Sequence, residues 1–116
     1  MKDEYRCKLG VNLDLSAELS ELLPDIESVV CGAVRPSYPG FVFIITSGRD
    51  GKHSEGSKHY SGNAVDVRTR FSLIGQPVYL PEYLRLCVVD QLKFYFDRWL
   101  DIVDESDHWH IEYDPH

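Results

Sequence analysis

The sequence predicts an α+β fold, and three observations carry that prediction. Two stretches repeat apolar residues at threes and fours, the mark of a helix with one buried face. Between and after them lie short runs that are β-branched and aromatic, or that alternate apolar with polar. No internal repeat, low-complexity tract or linker divides the 116 residues, so one domain over 1–116 is expected, built as a small antiparallel sheet with flanking helices.

The elements follow in order. Leu19, Leu22, Leu23, Ile26, Val29 and Val30 form the first helical face, with Ser16 as its N-cap. Pro24 falls inside it and is expected to kink it or to split it into two short helices. "RPSYPG" is a loop leading into "FVFIITS", an apolar run of strand length. From Gly48 to Lys58 the chain is polar and glycine-rich, a long loop. "NAVDVR" alternates, with Val65 and Val67 on one face and Ala64, Asp66 and Arg68 on the other. "FSLIGQPVYL" is an ambiguous connection. Pro81 suits the first turn of a second helix whose face carries Leu84, Val88, Leu92, Tyr95, Phe96 and Trp99. "DIVDES" and "HWHIEY" then read as two adjacent short strands.

Composition excludes several classes of function. A net charge of −7 argues against a nucleic-acid partner, which calls for a basic face. The longest apolar stretches, such as "FVFII", are far too short for a membrane span. The start "MKDEYRCKLG" has acids where a signal peptide has a cationic and then an apolar segment, so synthesis in the cytoplasm without a leader is expected. Cys7, Cys31 and Cys87 are odd in number and lie in no paired spacing; they read as reduced thiols, two of them buried. A monomer is expected.

Two islands concentrate coordinating chemistry. In "SKHYSGNAVDV", His59 and Asp66 converge only if His59 ends a loop and Asp66 points off the open face of the following strand. Gly62 lets the turn between them pass close to its neighbours. The alternative at this island is a surface histidine, with Asp66 paired to Arg68 or Lys58. In "DHWHIEY", a strand sends His108, His110 and Glu112 to one face and Trp109, Ile111 and Tyr113 to the other. Alternation does not choose between His108 and His110 as a ligand, and polar residues on an exposed strand face are also the default.

Together, "SKHYSGNAVDVR" and "DHWHIEY" resemble the paired signature of the M15 family of zinc peptidases, S-x-H-x-x-G-x-A-x-D followed by E/D-x-W-H. That family comprises D-Ala-D-Ala carboxypeptidases and dipeptidases and the L-alanoyl-D-glutamate endopeptidases of phage endolysins. "ITSGR" resembles the strand before its active-site loop, and "GKHSEGSKHYSGNAVDV" is similar to the hedgehog signalling domain, which shares the fold and the zinc site. The resemblance runs from about Phe41 to Tyr113 and implies a hedgehog/DD-peptidase-like fold.

Carried over by position, it implies Zn²⁺ held by His59, Asp66 and His110, with Asp107 as the catalytic acid. It also implies Arg49 near the substrate carbonyl and Ser57 beside the site, and leaves His108 a contact to substrate or to a ligand. Three protein ligands leave a fourth position for water, as in catalytic zinc sites. "SGRD" lacks the family's usual aromatic before the arginine, which shifts Arg49 by one, and Asp107 stands where glutamate is commoner. Strict alternation also puts Asp107 on the face of Trp109, so a bulge or turn at Asp107 or His108 is required. His53 and Glu55 read as rim residues rather than ligands; hedgehog domains hold calcium with acids near this loop, and the sequence does not assign that role to Asp50 and Glu55.

The implied function is a zinc peptidase that hydrolyses a bond of the peptidoglycan stem peptide, as an endopeptidase or DD-carboxypeptidase. A compact chain of this kind suits a phage or prophage lysis enzyme reaching the cell wall after release or within a virion. The alternative is a hedgehog-like zinc module that binds a partner without hydrolysis.

Overall fold

The computed structural model describes residues 5–48 and 62–115. A five-stranded sheet runs in the order β1-β2-β3-β7-β6, and a separate two-stranded sheet pairs β4 with β5. The strands are β1 (Arg6–Cys7), β2 (Ile44–Ser47), β3 (Ala64–Arg68), β4 (Arg70–Leu73), β5 (Gln76–Tyr79), β6 (Leu100–Asp104) and β7 (His108–Tyr113). The helices are α1 (Ala17–Val34) and α2 (Glu82–Tyr95). The expected antiparallel sheet is mixed: β1 lies parallel to β2, and the other pairs are antiparallel. The α+β class holds.

Ser16 caps α1 as expected, its Oγ accepting from the Leu19 amide at 3.2 Å. Pro24 does not split α1, which continues for 18 residues to Val34. Burial of Leu19, Leu23, Ile26, Val30 and Val34 along one stripe outweighs the hydrogen bond that proline cannot donate. Pro81 precedes α2 as its N-cap rather than sitting in its first turn. The buried face of α2 is Leu84, Val88, Val89 and Leu92, continued by Phe96, while Tyr95 and Trp99 are largely exposed, against expectation. Trp99 instead stacks on Tyr113, ring planes 7° apart.

Both helices pack together and against one sheet face. That face is built by alternation: Val65 and Val67 of β3 and Trp109 and Ile111 of β7 are fully buried. Phe41 packs edge-on to Trp109 and to Phe71. The strand expected over "FVFIITS" begins only at Ile44; Phe41 and Phe43 reach the core from the preceding loop. Of the three free cysteines, Cys31 is buried and Cys7 and Cys87 are exposed, one fewer buried than expected.

"FSLIGQPVYL" is a β-hairpin. Leu73 pairs with Gln76 across a two-residue loop in which Ile74 and Gly75 have φ of 51° and 76°. Both signs fit a type I′ turn, whose twist matches the flanking strands. Ile74 is 95% exposed, so its β-branched side chain bears the left-handed backbone without compensating contacts. Ile74→Asn is therefore expected to raise stability by about 1 kcal/mol. Urea unfolding measures this, and an unchanged or lower midpoint would contradict the turn assignment.

Candidate metal centre

The side of β3 and β7 away from the helices carries the polar set. The antiparallel register places Asp66 opposite His110 and Arg68 opposite His108. Directly opposed side chains lie about 5 Å apart at Cβ, so the register alone brings Asp66 of the first island to His110 of the second. His110 Nδ1 is 3.0 Å from Asp66 Oδ1, and His110 Nε2 is 2.9 Å from Glu112 Oε1. His108 Nε2 is 3.7 Å from Asp66 Oδ2, and its Nδ1 is 2.6 Å from Asp107 Oδ1. Asp107, His108, Asp66, His110 and Glu112 thus form a row of alternating carboxylates and imidazoles.

The start of β3 is fixed from outside the sheet. Gly62 has φ +78°, and a Cβ there would meet the backbone of Asp14 to Ser16, whose Ser16 amide donates to the Gly62 carbonyl at 2.9 Å. Only glycine combines that conformation with that approach. On the other edge, the β2–β3 register slips between Ile45 and Ser47, setting Ser47 beside Asp66. A Cβ on Gly48 would collide with the Asn12 carbonyl oxygen, so the chain leaving β2 also runs against backbone.

Asp107 escapes the alternation of β7 because it belongs to the turn before it. Ser106 has φ 73°, and the Asp107 amide donates to the Glu105 carbonyl two residues back at 3.0 Å, a γ-turn with a positive-φ centre. The Glu105 amide donates to the His108 carbonyl at 2.9 Å and closes the hairpin. Thr69, between β3 and β4, clamps the turn, its amide donating to the Asp107 carbonyl at 3.3 Å and its Oγ1 to the Ser106 carbonyl at 2.6 Å. The required turn is present. Its carboxylate, with 76% of the side chain exposed, reaches His108.

Two carboxylates bracket His110, and the imidazole responds. Its pKa is raised to about 9, first by the hydrogen bond to Asp66, against the opposing effect of burial, and then by Glu112. The position favours a cation, whether a proton on the ring or a metal at its nitrogen.

Two of the expected donors meet here: ligands at about 2.0–2.1 Å in a tetrahedron stand about 3.3 Å apart, and His110 Nδ1 and Asp66 Oδ1 are 3.0 Å apart. Glu112 on Nε2 matches the outer carboxylate that zinc-binding histidines ordinarily have on the ring nitrogen away from the metal. Sequence reasoning placed Glu112 on this face but gave it no role; its position two residues after His110 was the available signal. His59, Ser57 and Arg49 lie outside the described residues, as do Asp50, His53 and Glu55.

Other features rank below this one. Asp101, Glu112 and Asp114 bring carboxylate oxygens within 4.8 Å of one another, but Glu112 is engaged by His110, and exposed acids gather in this way without an ion. A shallow groove along α1, lined by Pro24, Glu27, Cys31 and Arg35, shares no residue with the polar face. No helix among the described residues is long and apolar enough to cross a membrane. Comparison with protein-family models, with curated proteins and with solved structures finds no match for this chain.

Proposed function

We propose that this chain is a zinc-dependent peptidase that hydrolyses a bond of the peptidoglycan stem peptide, acting on the bacterial cell wall as an endopeptidase or DD-carboxypeptidase. The observation that carries the reading is His110, held at Nε2 by Glu112 with its Nδ1 turned to Asp66 on the neighbouring strand. His59, the third member of the motif, would complete the ligand set with Asp66 and His110. Bound there, zinc would supply a Lewis acid and an acidified water near neutral pH.

The chain's own residues supply the rest. Glu112 orients the His110 ring. Asp107 stands on a turn tied to β3 through Thr69, its carboxylate able to take a proton from the attacking water and to return it to the departing amine. The low-exposure pair of Asp66 and His110 keeps the ligands ordered before metal arrives, which lowers the ordering cost of binding.

One observation favours a second reading, a hedgehog-like zinc module without hydrolysis: the Asp107 carboxylate is mostly exposed and contacts His108. Turnover separates the two. Incubation with purified sacculi, followed by mass spectrometry of the released fragments, is expected to show one cleaved stem-peptide bond, and the absence of any cleavage would leave the binding module.

Zinc content tests the site without relying on activity. One zinc per chain is expected. His59→Ala and His110→Ala should lose it, Glu112→Gln should weaken affinity about 10–100-fold, and His53→Ala should leave it unchanged. A site emptied by His53→Ala but full in His59→Ala would overturn the ligand assignment.

A further inference from the structure

We infer that Arg68 and Arg70 form a carboxylate-binding subsite beside the Asp66–His110 pair, selecting peptides that carry a free carboxylate next to the bond that is cut. The term substrate rests on the peptidase reading; the subsite itself rests on the arginines. Arg68 is two residues from Asp66 on β3 and directly opposite His108, so it shares the polar face with the candidate ligands. Its Nε is buried and has no hydrogen-bond partner. Among the described residues the side chains of Arg68 and Arg70 make no hydrogen bond or ion pair, although Asp and Glu outnumber Lys and Arg by 19 to 12 in the chain. Acids to pair with are in surplus, yet these two guanidinium groups stand unneutralised.

Only Thr69 separates them in the chain, Arg68 ending β3 and Arg70 opening β4. Thr69 between them is fixed on three sides: its amide and hydroxyl bond the Ser106–Asp107 turn, and its carbonyl accepts from the Leu80 amide at 3.1 Å. The result is a preorganised pair of cations flanking the anchor of the Asp107 turn. A guanidinium presents two parallel N–H donors that match a carboxylate, so a bound carboxylate would give the Arg68 side chain the partner it lacks. Asp66, Asp107 and Glu112 on the same side disfavour a ligand of higher negative charge, such as a phosphate dianion.

Stem peptides offer two such carboxylates, the α-carboxylate of γ-linked D-glutamate and the C-terminus. Three probes separate them: the pentapeptide L-Ala-γ-D-Glu-L-Lys-D-Ala-D-Ala with both free, with the glutamate carboxylate amidated, or with the C-terminus amidated. Calorimetric titration into zinc-loaded parent is expected to show one amide binding roughly 10-fold or more weaker than the acid, as charge-assisted bidentate bonds are lost. Arg68→Gln should erase the difference between acid and amide, and Arg68→Lys should restore part of it. Arg70→Gln, which lies outside β3, gives a second reading if Arg68→Gln folds poorly. Equal binding of the three probes by the parent, no binding of any, or an Arg68→Gln protein that weakens all three by one factor would overturn the subsite. A parent that discriminates but cuts no peptide keeps the subsite and sinks the peptidase reading; one that cuts without discriminating does the reverse.

Discussion

Asp107→Asn should keep zinc and fold while losing about 10²–10⁴ of the turnover, the range expected for a general acid–base group. The substitution isolates proton transfer because the backbone of Asp107 is held independently of its side chain, by the γ-turn bond to Glu105 and by the Thr69 amide. An asparagine Oδ1 can still accept from His108 Nδ1, as Asp107 Oδ1 does at 2.6 Å, so the turn and its neighbour need not move. What the amide cannot do is take a proton. The side chain is largely exposed, so little packing is lost and melting temperature should change little. Asp107→Ala removes the His108 contact as well and should be at least as slow. Glu105, exposed and two residues earlier, is the control, and Glu105→Gln should be mild. Rates on isolated peptidoglycan, read with the zinc content of each variant, decide the matter. An Asp107→Asn protein that cuts near the parental rate would remove Asp107 from the mechanism.

The parts of the candidate site that were legible in sequence are those set by strand alternation. In "HWHIEY" and "NAVDVR" a period of two fixes the face of every residue, and a one-residue error would have buried two imidazoles instead of Trp109 and Ile111. The register that puts Asp66 against His110 was not legible in spacing alone, because pairing depends on where each strand ends and on the clamp from Thr69. The β4–β5 hairpin escaped because its turn places isoleucine where asparagine or aspartate ordinarily signals a type I′ geometry. The parallel pairing of β1 left no trace, since two residues give no period to read. Trp99 misled for a different reason: α2 ends at Tyr95, and past that point its periodicity no longer assigns a face, while Tyr95 itself, the last helical residue, lies outward against Phe94.

Trp109→Ala should destabilise the fold by about 3–5 kcal/mol, the usual cost of deleting a fully buried aromatic. Trp109 has no solvent exposure, packs edge-on to Phe41 at 6.4 Å, and donates its Nε1 hydrogen to the Arg85 carbonyl of α2 at 3.2 Å. It therefore joins β7 to α2, and Arg85 in turn pairs with Asp104 of β6 at 3.1 Å. Removing the ring opens a cavity under the strand segment that displays His108 and His110. Against a total stability of about 5–15 kcal/mol for a domain of this kind, such a loss is large. Trp109→Phe keeps most of the ring volume, loses the donated bond, and should cost clearly less. The metal provides the discriminating comparison, because zinc adds stability only through the native site. If Trp109 acts through the core, the cost in urea unfolding should be nearly the same in chelator and in saturating zinc. A cost seen only with zinc would mean that the ring supports the ligands rather than the fold. An unchanged unfolding midpoint in both conditions would show that the face beneath the candidate metal centre is not the core.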